Sequence, residues 1–174
     1  MICYTNQKFG IIIEYLYLSK PEEINIANFE NVDVIEYIQA YEKPNCHSEL
    51  FTSLYTDLSK QEEVLFGAIN KNTRYEIRRA EREGVTIGLI GMDTVISNED
   101  LSNFIDFYDD FRNSKNMKPC LPNEIKLINQ QRKLLIAYAK YEGEILVYHS
   151  YLHDDKKARL LHSASKYRSS DKYS

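Results

Sequence analysis

The sequence predicts an α/β (α+β) fold, a mixed and mostly antiparallel sheet with a helix pair inserted after its first strands. Three observations point there. Runs rich in β-branched and aromatic residues recur near both ends, two adjacent helix-like segments fill residues 58–84, and a three-strand meander with two tight turns follows. With 174 residues, 43% of them hydrophobic and 28% charged, the chain suits one domain spanning residues 1–174 with a sizeable core.

The elements follow in order. Residues 9–17 have the composition of a strand, broken by Lys20-Pro21, and residues 34–41 read as a second strand. In residues 49–55, Leu50, Thr52 and Leu54 alternate with Phe51, Ser53 and Tyr55, which predicts a third. Asp57 or Ser59 begins a helix whose Val64, Leu65, Ala68 and Ile69 form an apolar stripe. A second helix follows almost at once, with Asn72 or Thr73 as cap, Glu76 closing a capping box and Gly84 past the C-terminus. Its Ile77 and Ala80 give a narrow face suited to docking on a sheet. Residues 85–90 are a short apolar strand between Gly84 and Gly91.

The second half starts with an acidic helix opening at Asn98, Glu99 and Asp100. Leu101, Phe104, Ile105, Tyr108 and Phe111 then recur at helical spacing, and Phe107 widens the face. A basic, proline-bounded loop over residues 114–122 carries Lys115 and Lys118, and Pro122, Asn123 and Glu124 start another helix. Residues 134–141, 144–153 and 157–166 make the meander, turning at Glu142-Gly143 and Asp154-Asp155. Fourteen tyrosines fall largely within the apparent strands and read as sheet packing.

Several function classes drop out on composition. No apolar run approaches the ~20 residues needed to span a bilayer, and no secretory leader pattern opens the chain, so the expectation is a cytoplasmic protein. Three scattered cysteines, Cys3, Cys46 and Cys120, have no metal-ligand spacing and read as reduced thiols. A pI of about 5.6 argues against a broad nucleic-acid footprint.

Against that acidic background, Arg74, Arg78, Arg79 and Arg82 stand within nine residues. Arg74, Arg78 and Arg82 form one stripe of the second helix, suited to meeting an anion. Glu76, Glu81 and Glu83 are interleaved with them, so the pattern also fits a solvated face laced with ion pairs. His149 and His153 lie on one strand face about 13 Å apart at ~3.3 Å per residue, too far to share a metal. His149 and His162 would pair only as cross-strand neighbours.

The run from Arg74 to Val85 reads Arg-Tyr-Glu-Ile-Arg-Arg-Ala-Glu-Arg-Glu-Gly-Val after an acidic helix. It resembles the helix pair of the FemAB-like acyltransferases, part of the broader GNAT-like group, whose pattern is Arg-Tyr-x-Ile-Arg-x-Ala-x-x-x-Gly-Val. The similarity extends over residues 49–168, with the hairpin around residues 146–168 less specific than the helix pair. It implies a GNAT-like domain that transfers an acyl or aminoacyl group to an amine on a cell-wall precursor or sugar. The donor it implies is acyl-CoA or aminoacyl-tRNA, the latter being the one expected encounter with nucleic acid. Arg74, Tyr75, Arg78 and Lys115 are then the substrate-binding candidates, Arg79 and Arg82 pair with glutamates, and His149 is the candidate base, imidazole titrating near neutrality.

One departure qualifies that picture. No Gly-rich phosphate loop occurs, and the elements that would follow the meander are missing by Ser174. The expectation is a C-terminally shortened member that lacks the donor-binding elements and self-associates through an exposed sheet edge. The alternative is a catalytically degenerate fold serving as an interaction or dimerisation module.

Overall fold

The computed structural model describes residues 2–21, 24–120 and 122–166. The residues past 166, on which the expected truncation and the end of the similar hairpin fall, lie outside them. Among the described residues the architecture is mixed α+β with two sheets. The first is ordered β1 (Ile2–Lys8), β2 (Ile11–Tyr17), β3 (Val34–Ile38). The second is ordered β4 (Thr86–Ile90), β5 (Leu134–Tyr141), β6 (Glu144–His153), β7 (Ala158–Ser165). Four helices accompany them: α1 (Glu62–Ala68), α2 (Lys71–Arg82), α3 (Asn98–Ser114) and α4 (Pro122–Gln130).

All neighbouring strands are antiparallel except β2 and β3, which run parallel across the connection from residue 18 to 33. The segment 9–17, expected as one strand, is the second arm of a hairpin. Phe9 and Gly10 both take positive φ, at 54° and 80°, so the chain reverses there in two residues and β1 precedes the turn. Glu142 and Gly143 make the corresponding turn between β5 and β6.

A further difference concerns residues 49–55, where the expected strand does not form. Alternation gives a segment strand character, but a strand needs a neighbour to take its backbone hydrogen bonds. Residues 49–55 pair with no strand, and Leu50, Phe51, Leu54 and Tyr55 stand exposed. The helix pair occurs where expected, but its docking face does not. No residue of α1 or α2 is buried, and Ile77 and Ala80 are only half-buried. Two apolar side chains among twelve residues offer too little surface to hold a helix on a sheet. The α2 cap is also two or three residues earlier than the sequence suggested: Asn70 accepts the Thr73 N–H at 2.9 Å.

One core joins the two sheets. Ile2, Tyr4 and Tyr17 from the first pack with Leu134, Ile136, Tyr148 and Leu152 from the second through Phe104 and Tyr108 of α3 and Ile125 and Ile128 of α4. The predicted α3 stripe is the face that packs there, with Leu101, Phe104 and Tyr108 buried and Ile105, Phe107 and Phe111 against them. Two amide side chains tie the layers. Buried Asn129 of α4 accepts the Ile96 N–H at 2.8 Å and donates to its carbonyl at 3.0 Å. Gln131 bonds both the N–H and the C=O of Cys3, fixing β1 to the end of α4. Gly91, at φ 93°, lies against β5, where an added Cβ would fall 2.4 Å from the Leu134 carbonyl oxygen.

Candidate functional site

The arginine helix spends much of its charge internally. Nη1 of Arg74 donates to the carbonyls of Gly67 and Ile69, each at 2.6 Å, and so closes the C-terminal end of α1. Arg78 lies 5.2 Å over the Phe66 ring, and Arg79 pairs with Glu83 at 2.7 Å, with Glu76 beside it. Among the described residues Arg82 makes no ion pair. Tyr75 is exposed on the same helix. Lys115 is the C-cap of α3, far along the chain from the arginines, its backbone N–H bonded to the Arg112 and Asn113 carbonyls.

His149 lies on the face of β6 opposite the buried Tyr148, Ser150 and Leu152. Its Nδ1 is shut off from solvent without a hydrogen-bond partner. His149 and His162 are not paired across strands: His149 stands opposite Ser163, and His162 opposite Ser150. The two rings therefore point to different faces of the sheet.

A different group of side chains converges where the two sheets meet α4. Register places Tyr4 opposite Tyr15 on β1 and β2, with Tyr17 on the same face, and the three rings stack with centroids 4.7 and 6.0 Å from that of Tyr4. Glu124 extends from the first turn of α4 to meet them. The Tyr17 hydroxyl donates to Glu124 Oε1 at 3.1 Å, and the Tyr4 phenol stands close beside the same carboxyl. Burial pushes the Glu124 carboxyl above the usual carboxylate range, while the two phenols and the Arg159 charge offset part of that push. Burial, followed by neighbouring tyrosine or carboxylate charge, drives the Tyr4 and Tyr17 phenols well up. Tyr4, Thr5, Asn6, Pro122, Asn123 and Glu124 line a cleft of about 100 Å³ at this point.

The polar seam continues along the core side of β7. Arg159, opposite Leu152, lies 5.5 Å over the Tyr17 ring. Beyond it, His162 Nδ1 and the fully buried Ser150 hydroxyl are 2.8 Å apart. Burial, with the Arg112 and Arg159 charges behind it, brings His162 down to about 4, so the ring is neutral at physiological pH. Arg112 donates to the Tyr108 hydroxyl at 3.0 Å, and Cys120, whose thiol burial pushes up to about 11, takes its N–H to Asp109. Among the described residues no three His, Cys, Asp or Glu side chains gather as a metal site.

Chemically, a desolvated carboxylate held between two phenols at the wall of an open cleft can accept a proton from a group bound there. Sequence reasoning saw Glu124 only as a helix starter. A signal did exist in the tyrosines alternating at 15 and 17, but nothing local links them to a residue 107 positions away.

No protein-family model matches the chain, and no curated protein matches it. Among solved structures it is similar to L-PGS from Bacillus licheniformis, at 20% identity and a TM-score of 0.43. That match takes in 59% of this chain and 32% of the other, so this chain corresponds to about a third of the length of L-PGS.

Proposed function

We propose that this chain is an N-acyltransferase domain in which Glu124 takes the proton from an amine acceptor. The observation that carries the reading is the Glu124 carboxyl itself, raised by burial, hydrogen-bonded by Tyr17 at 3.1 Å and opening on the cleft. The FemAB-like pattern over Arg74 to Val85 supports the same chemistry from the sequence side.

In this reading the acceptor is an amine on a cell-wall precursor or sugar, and the donor is an acyl-CoA or aminoacyl-tRNA. The amine nitrogen attacks the activated carbonyl carbon, a C–N bond forms, and the bond to the donor's sulfur or oxygen breaks. The proton released by nitrogen passes to Glu124 and then to the departing thiolate or alkoxide. Tyr4 and Tyr17 hold the carboxylate in place and keep water from its other lone pairs. A base above the ordinary carboxylate range is better matched to an ammonium proton than an exposed glutamate would be. Arg74, Arg78 and Tyr75 on α2, with Lys115, remain the proposed contacts for an anionic substrate, and His149 would serve a separate step on its own face.

The test is Glu124→Gln, which keeps the shape and one hydrogen-bond acceptor but cannot take the proton. Amide formation from aminoacyl-tRNA or acyl-CoA should fall by about 10²–10⁴-fold, the usual worth of a general base, with an unchanged far-ultraviolet spectrum. Undiminished transfer by that variant would overturn the reading.

A second reading, an interaction module that has lost catalysis, draws on the exposed apolar stretch at Leu50, Phe51, Leu54, Tyr55 and Leu58. An acceptor-independent loss of all transfer activity in the unsubstituted chain would favour it.

A further inference from the structure

The stretch from Leu50 to Leu58 turns its apolar side chains to water. Leu50 and Leu54 are 97% and 100% exposed, and Phe51, Tyr55 and Leu58 stand open beside them. The stretch has the alternation of a strand, yet no strand lies beside it. Apolar surface gathered on one short segment to this extent marks a contact with another molecule. Tyr55 shows where the segment lies: Lys157 Nζ is 4.9 Å from its ring centroid, at the turn that leads into β7.

Among the described residues four strands have an open edge, and charge separates them. The segment is flanked by Glu49 and Asp57, and β7 by Lys157 and Lys166, at nearly the same spacing. A strand laid along β7 in either direction therefore brings an acid to a lysine at both ends. The other edges match less well. Asp33 precedes β3 and Glu36 lies within it, β4 runs between Glu83 and Asp93, and β1 offers only Lys8 at one end. β7 also carries a half-exposed leucine, Leu160.

The segment does not pair with β7 of its own chain. Each copy thus holds one unpaired strand and one matching edge, a combination that two copies satisfy mutually about a two-fold axis. The surface is large enough. At about 150–250 Å² per aromatic side chain, Phe51 and Tyr55 alone offer roughly 300–500 Å². Three leucines add to that, and a stable interface takes about 800 Å² per partner.

We propose that residues 50–55 become a strand on a second copy of this chain, adding to the open edge of β7, and that the exchange is mutual. The partner edge supplies the backbone hydrogen bonds that the segment lacks, and the second sheet gains one strand in each copy. The assembly does not depend on whether Glu124 takes a proton from an amine.

Sedimentation of the full chain over a concentration series, with hydrogen exchange beside it, tests the exchange. The expected result is a dimer in which amide protection rises with concentration over residues 50–55 and in β7, and not in β4. Thr52→Pro removes an N–H from the middle of the added strand, outside the sheets of the free chain. It should raise the dimer dissociation constant at least tenfold and leave the far-ultraviolet spectrum of the dilute chain unchanged. Glu49→Lys with Asp57→Lys should also dissociate the dimer, and adding Lys157→Glu and Lys166→Glu should restore it. Ile87→Lys on β4 should leave the dimer intact. A monomer at every concentration overturns the inference, as does a dimer unmoved by Thr52→Pro or one dissolved by Ile87→Lys. Failure of the reversed lysines to restore the dimer overturns the choice of β7.

Discussion

His162 gives the chain a pH dependence that can be read from one side chain. Its folded value of about 4 lies below the ordinary histidine value of 6.5, so as pH falls the unfolded chain takes up the proton first. Stability is therefore fully present above about pH 6.5 and is lost progressively down to about pH 4. Glu124 contributes with the opposite sign: its folded value is raised, so its unfavourable contribution near neutrality recedes as the solution becomes acidic. In a Glu124→Gln background, thermal midpoints between pH 7 and 4 should fall steeply with His162 present and much less in His162→Phe. Equal slopes would show that the ring is not held neutral. Ser150→Ala removes the partner of Nδ1 within a closed interior and should cost about 1–3 kcal/mol in a denaturant titration. At this scale the sequence was least informative. His149 drew attention as an isolated titratable group, whereas Glu124, Arg159 and Ser150 acquire their properties from burial, which no local pattern encodes.

At the scale of elements, local signals served well. The strands β5 and β6 have the boundaries expected from sequence, because their turn lies between them and their neighbours are adjacent in the chain. Residues 49–55 failed for the converse reason: being a strand depends on a partner that the segment itself does not supply. The bridge from Arg74 to α1 makes a specific prediction. Arg74→Met should leave the thermal midpoint nearly unchanged, since no α1 residue is buried, but should speed amide hydrogen exchange throughout α1. Unchanged exchange would mean that α1 is held by something else. Gly91→Ala should be severe by comparison. It adds a side chain at positive φ and drives it into the Leu134 backbone, which cannot yield as a flexible side chain would. A loss of several kcal/mol is expected, read from chemical unfolding.

For the whole molecule, α+β class and element order were legible, and the division into two sheets was not. Among the described residues β1, β3, β4 and β7 each pair on one side only, so the expected association through a sheet edge has four places to occur. Ile87 and Leu89 of β4 are also exposed. Sedimentation of the chain should report a dimer, and Ile87→Lys should return it to a monomer if β4 is the edge used. A concentration-independent monomer would remove self-association from the account.

The bond between Cys3 and Gln131 spans 128 residues, and that between Tyr17 and Glu124 spans 107. The β5–β6–β7 meander, by contrast, closes only short loops. Loop closure is an entropic cost met before distant contacts can repay it. The meander should consequently form early during folding, and the β1–β2 hairpin should dock against α4 last. Pulse-labelled hydrogen exchange would follow this order, with Leu152 protected before Tyr4. The carboxylate and its two phenols would then come together only in the final docking step. A partly folded chain, however much secondary structure it had gained, would still lack the cleft at Glu124 that we propose receives the amine.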